Sequence, residues 1–203
     1  MSWGNLVLPP PLLAVGLIAA FLIFYERRRI VIEKTVLIAL LTALATIGRL
    51  LFAMIGSVQA ASFIIIAAGM SLGPEIGCMV GLMTGAASNL VLGLGPWAPW
   101  QMLAWGLMGG AAGFLHRPLL AWKTLRVAYG FIWGFLFGWL MNLWFVAAGY
   151  ADSAGWSAYW PACVASLPFD AAHAVTNAAL LLWAGDGLAG SLHRVARRYG
   201  LKA

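Results

Sequence analysis

The sequence predicts an all-α, polytopic membrane helical bundle, and three observations carry that prediction. Hydrophobic residues make up 63% of the 203-residue chain, and charged residues only 9%. A soluble domain is roughly half apolar and about a quarter charged, so this chain has too few polar groups to cover a water-facing surface. Long apolar runs follow one another closely, and the basic residues gather in three short clusters at their ends. At about 20 residues per span, six or seven helices use up the length and leave no room for a soluble domain. The expected organisation is an extra N-terminal transmembrane helix with a basic turn over residues 1–30, then a six-helix membrane domain over 31–203.

Each span has its own justification. Residues 6–24 form an apolar run that includes Pro9, Pro10 and Pro11 and is followed by Tyr25-Glu26-Arg27-Arg28-Arg29. A secretory signal carries its positive charge before the apolar stretch, so this run reads as an uncleaved span. Residues 36–55 run back across. Residues 60–72 make a shorter return, broken by Gly73-Pro74-Glu75. Residues 76–94 lead to a loop over 93–100 rich in Gly, Pro and Trp, and 101–115 return to stop at His116-Arg117-Pro118. Residues 128–148 cross again, and 149–167 are expected to be a long loop. Pro168 suits a first helical turn, so the last span is expected to open there and run to about Leu188.

The basic clusters at 27–34, 116–126 and 193–202 all fall on one side under this assignment. The positive-inside rule makes that side cytoplasmic, with the C-terminus inside and the N-terminus outside. The net charge of +6 is thereby explained without a nucleic-acid partner. Cys78 and Cys163 fall near opposite faces, so no disulfide is expected.

The strongly polar residues at membrane depth all lie toward the outer side: Arg49, Asn89, Gln101, Asn142, Asp170, His173 and Asn177. The inner half is read as almost purely apolar. Intramembrane polar groups are costly and point to function, so the asymmetry suggests a pocket open to the outside. Asp170, His173 and Asn177 share one helical face at i, i+3 and i+7, with Asp170 expected in the first turn. They read either as a cap with packing polars or as ligand-facing groups. Arg49 either snorkels to headgroups or pairs with Asp170 or a ligand anion. Asn89 and Asn142 fit helix-to-helix hydrogen bonds or ligand contacts. Trp97, Trp100, Gln101 and Trp105 are expected to form a rigid aromatic wall for a flat ligand, with an interfacial belt as the alternative.

Absences narrow the chemistry. There is no phosphate-cradling glycine-lysine loop, no nucleophile elbow and no grouping with metal-ligand spacing, and no cofactor is expected. Ser88 with His173 is the one conceivable nucleophile and base. The alternative to a binding subunit is therefore an intramembrane enzyme or a structural membrane subunit. No acid relay crosses the inner half, so solute movement would draw its energy from a partner.

The segment from Ser88-Asn89-Leu90 through Gly95-Pro96-Trp97-Ala98-Pro99-Trp100-Gln101 to Trp105-Gly106 resembles the substrate-specific subunits of energy-coupling factor (ECF) vitamin transporters. So do Leu167-Pro168-Phe169-Asp170 with His173 and Asn177, and the run from Ala39 and Ala43 to Gly48-Arg49. The resemblance covers about residues 33–189. It implies a six-helix bundle in a prokaryotic cell membrane that binds a vitamin near its outer surface. It also implies a transmembrane coupling subunit, docked on Ala39 and Ala43, and two cytoplasmic ATPases. In that family the loaded subunit topples in the membrane, which needs no polar channel. The helix before residue 30 departs from the pattern. The Trp-Gln form of the loop most resembles members associated with cobalamin or corrinoid precursors, which sets the expected vitamin.

Overall fold

The computed structural model describes residues 10–26, 32–147 and 152–200, with side-chain surroundings left out at a few positions inside these ranges. The expected beginning of the first span at 6–9, the arginines 27–29 and Lys202 lie outside the described residues. Among the described residues every regular element is helical. The helices are α1 (Pro10–Glu26), α2 (Ile32–Leu50), α3 (Ala61–Leu72), α4 (Pro74–Leu92), α5 (Ala98–Phe114), α6 (His116–Ala121), α7 (Lys123–Ala147), α8 (Tyr159–Trp183) and α9 (Gly185–Arg198). A 3-10 stretch over Asp152–Ala158 precedes α8. Helices α2, α3, α4, α5, α7 and α8 are the six expected core helices, and α1 is the extra one. By length and composition α4 and α7 are apolar enough to cross a membrane, and α1 and α3 contain shorter apolar stretches.

All twelve residues of α3 are buried. A helix that is apolar all round has no solvent-facing stripe and belongs at the centre of a bundle. Gly73, at φ 95°, turns the chain directly into α4, whose first residue is Pro74. Only a residue without a Cβ adopts that turn cheaply, and proline suits the opening position of the helix that follows. Helix α3 is about 18 Å long and α4 about 28 Å at 1.5 Å per residue. Starting from one turn, α4 outruns α3 by about 10 Å. The space left beyond the first turn of α3 is covered by the loop over 51–60. That loop folds back on α2 through a hydrogen bond from the Ala60 amide to the Gly48 carbonyl at 3.1 Å.

Glycines fix how closely the helices pack. A Cβ on Gly77 or Gly109 would overlap the backbone of the other helix, and one on Gly81 would overlap the backbone at Trp105. Helices α4 and α5 therefore touch main chain to main chain, as small-residue faces allow in membranes. Helices α7 and α8 form a second tight pair, with Gly134 against the Ala174 backbone and Gly138 against the Asp170 carboxylate. Large apolar side chains such as Leu40, Leu90, Ile132 and Val175 face outward, which suits a lipid-facing surface.

Three expectations change. Helix α8 begins at Tyr159, well before Pro168, so much of the expected loop over 149–167 is helix and Pro168 lies inside it. Proline inside a helix of a membrane bundle is tolerated where neighbouring groups can take up the carbonyl it frees. Asp170 accordingly sits about three turns into α8, beyond the reach of the helix dipole at its first turn. The last core helix ends at Trp183, and a separate amphipathic helix, α9, follows with Gly185, Ala189, Leu192 and Ala196 buried. Finally, the basic end of the bundle is not free of buried charge: Arg126, 1% exposed, bonds the Asp186 carboxylate at 2.6 Å and ties α7 to α9.

Candidate functional site

At the end of the bundle away from the basic clusters lies a cavity of about 240 Å³. The short α3 leaves the space, the 51–60 loop borders it through Phe52, Ser57 and Gln59, and Arg49, Gln101, Trp105 and Phe137 contribute walls and floor. Arg49 is the last polar residue of α2 and reaches across to α4 and α5. Its Nη1 donates to Ser88 Oγ and, at 3.5 Å, to Asn89 Oδ1, and its Nη2 donates to Gln101 Oε1 at 3.2 Å. The guanidinium carbon lies 4.8 Å from the centroid of the Trp105 ring, a cation–π contact.

Trp105 is completely buried. Its indole N–H donates to Ser62 Oγ at 3.1 Å, and Ser62 Oγ pairs with His173 Nε2 at 2.7 Å. Phe137 stands between, 5.0 Å from the Trp105 ring and edge-on to His173 at 5.2 Å. This chain links α5, α3, α8 and α7 at one level. Below it Ile65, Ile66, Met70 and Met108 are fully buried, so the floor is dry and apolar.

The ten residues singled out from sequence fall into three groups. Arg49, Asn89, Gln101 and Trp105 come together at the cavity, with Asn89 behind Arg49. Trp97 and Trp100 do not line it: Trp97 meets Trp144 edge-on at 6.3 Å, and Trp100 packs in a small cluster with Ala14 of α1 and Trp144. Asn142, Asp170, His173 and Asn177 lie within the bundle's own contacts. Asn142 donates to Ser166 Oγ at 2.8 Å, and Ser166 donates to Asp170 Oδ2 at 2.8 Å. Asn177 donates to the Gly130 carbonyl at 3.2 Å. Asp170, His173 and Asn177 do share a buried face, but it is spent on α7 and α3. Arg49 has no ion pair with Asp170 among the described residues.

Sequence reasoning missed Ser62, Gln59 and Phe137. Ser62 had a signal, being a hydroxyl near the start of an otherwise apolar helix. Phe137 had none, since nothing distinguishes it from the other aromatics of α7. Ser88 and His173, the conceivable catalytic pair, make separate hydrogen bonds: Ser88 with Arg49 and the Thr84 carbonyl, His173 with Ser62. Cys78 and Cys163 are free thiols.

A second surface feature lies along α2 and α4. Ala39 and Ala43 are exposed and border an apolar groove of about 590 Å³ with Thr42, Thr46, Met79 and Met83.

An all-helical bundle with apolar flanks, a closed apolar floor and a small polar cavity at one end has the architecture of an integral membrane protein with a candidate small-molecule site. A family model described as ECF-type riboflavin transporter, S component, matches residues 29–188. That match spans most of the chain, and the chain belongs to this family of substrate-binding transport subunits, which are not enzymes. Helix α1 and most of α9 lie outside the matched stretch. No curated protein and no solved structure matches the chain.

Proposed function

We propose that this chain captures a flavin, riboflavin or a close relative, from outside a prokaryotic cell. It then hands the flavin inward by reorienting on a transmembrane coupling subunit driven by two cytoplasmic ATPases. The carrying observation is the cavity built on Arg49, Gln101, Trp105 and Phe137 at the end away from the basic clusters. The positive-inside rule puts that end outside, with the C-terminus in the cytoplasm. Two aromatic rings and a few fixed polar groups are the usual lining of a site for a flat, partly polar molecule. The family description names riboflavin, which agrees in kind.

The corrinoid expected from the Trp-Gln loop loses its support. Trp97 and Trp100 pack on Trp144 and α1 instead of lining the cavity. A cavity of 240 Å³ also lies below the usual range for organic ligands, about 300–1,000 Å³. A three-ring flavin exceeds this volume by far less than a corrinoid does.

The apolar groove beside Ala39 and Ala43 suits close approach of a helix from the coupling subunit. The site residues outside the cavity, Trp97, Trp100, Asn142, Asp170, His173 and Asn177, then act by holding the bundle in shape. The test is a titration of the purified chain in lipid nanodiscs with riboflavin and cobalamin, read by quenching of flavin fluorescence and by corrinoid absorbance. Saturable flavin binding with no corrinoid binding is expected. Tight corrinoid binding, or no flavin binding, overturns the reading.

A further inference from the structure

Arg49 is the only ionisable residue bordering the cavity among the described residues. Three neutral acceptors, Ser88, Asn89 and Gln101, hold its guanidinium. Those bonds engage three of its five N–H groups and leave two for a ligand. The ion pairs among the described residues are those of Lys123 and Arg126 with Asp186, so no described carboxylate pairs with Arg49. The braces also stop the side chain from swinging to solvent, because leaving would break three hydrogen bonds and the contact with Trp105. The cavity therefore presents a fixed, uncompensated positive charge with free donors beside an aromatic ring.

We infer that Arg49 sets the charge class of the ligand. The cavity takes a planar heteroaromatic that offers hydrogen-bond acceptors along one edge, neutral or anionic, and rejects a planar cation of the same size. This rests on the flavin reading, because a flavin's dione ring supplies such an edge. Hydrogen bonds to a charged donor are stronger than neutral ones. Their loss from a partly buried site weakens binding about 10–100-fold. A cation brought within about 5 Å of the guanidinium meets repulsion on the order of 100-fold in affinity at an effective dielectric near 20.

The test compares riboflavin with proflavine, a three-ring planar dye that is cationic at neutral pH. The full chain in nanodiscs is used as wild type, Arg49→Gln and Arg49→Lys. Wild type is expected to bind riboflavin and to exclude proflavine. Arg49→Gln is expected to lose about 10–100-fold in riboflavin affinity and to admit proflavine. Arg49→Lys keeps the charge but not the planar fork, so it weakens riboflavin while still excluding the dye. A change of preference between two ligands cannot come from misfolding alone. If Arg49→Gln does not fold, Arg49→Lys decides: undiminished riboflavin affinity or binding of proflavine by that variant overturns the inference. Equal binding of the two ligands by wild type, or an unchanged preference in folded Arg49→Gln, overturns the inference and leaves flavin capture standing. A wild type that binds neither ligand removes the flavin reading, and this inference with it.

Discussion

Trp105 is the residue on which both the cavity and the bundle depend, and its replacement separates ring from N–H. The side chain makes three kinds of contact: the hydrogen bond to Ser62 at 3.1 Å, the ring contact with Phe137 at 5.0 Å and the face under Arg49 at 4.8 Å. Trp105→Phe removes the first and keeps most of the other two. A net hydrogen bond is worth about 1 kcal/mol. Ser62 keeps its bond to His173, so its hydroxyl is not orphaned. The expected loss of stability is about 1 kcal/mol, with flavin affinity reduced only a few-fold.

Trp105→Ala removes all three contacts and opens a void in a fully buried site. The ring pair contributes about 0.5–1.5 kcal/mol, the cation–π contact about 0.5–2 and the hydrogen bond about 1. Together these come to roughly 3 kcal/mol before any cavity cost. Part of that figure is shared between neighbours and does not add. Thermal unfolding of the purified chain in one detergent, followed by circular dichroism, gives the ordering of the variants. Riboflavin titration gives the loss at the site. If Trp105→Ala were no less stable than Trp105→Phe, within about 0.5 kcal/mol, the linkage of α5 to α2, α3 and α7 through this ring would be wrong.

Other outcomes test the packing and the proposed partner surface. Gly109→Ala forces a Cβ into the Gly77 backbone and is expected to abolish folded, detergent-stable protein. The neighbouring Gly110→Ala places its Cβ at an ordinary 3.6 Å from Cys78 Cβ and should leave the melting temperature unchanged. Asp186→Ala strands a buried guanidinium, whereas Arg126→Met leaves only an exposed carboxylate. The first should therefore cost more than the second, by roughly 1–2 kcal/mol, with faster hydrogen exchange in α9 as the accompanying sign. Asp170→Asn keeps a partner for Ser166, and its flavin affinity should stay within about 3-fold of wild type; a loss of about 100-fold would put Asp170 back in the site. Ala39→Leu with Ala43→Leu fills the groove on α2 and should block uptake in proteoliposomes carrying the coupling module while leaving flavin binding intact.

What the sequence made legible follows from which forces act locally. Apolar runs and basic clusters report directly on spans, and the six core helices with α1 appear in the expected order, although α2 ends at Leu50 and α8 starts at Tyr159, away from the expected bounds. Arg49, Gln101 and Trp105 were visible because a cation, an amide and an indole are conspicuous in apolar surroundings, and their convergence needs only α2 and α5, with α4 supplying Ser88 and Asn89. Two kinds of information were out of reach. Helix boundaries inside a bundle are set by neighbours, so Pro168 read as a start although α7 supports the helix on both sides of it. The amphipathic α9 was hidden for a similar reason: its arginines had already been accounted for by the membrane's charge rule, although its other face is buried. Pocket membership is also a question of direction. The tryptophans at 97 and 100 were as aromatic as expected, yet α5 turns them toward Trp144 and α1. Trp105, one and a half turns beyond Trp100, is the one that faces Arg49. Helical phase within α5, more than the density of tryptophan in its sequence, decides which ring borders the cavity.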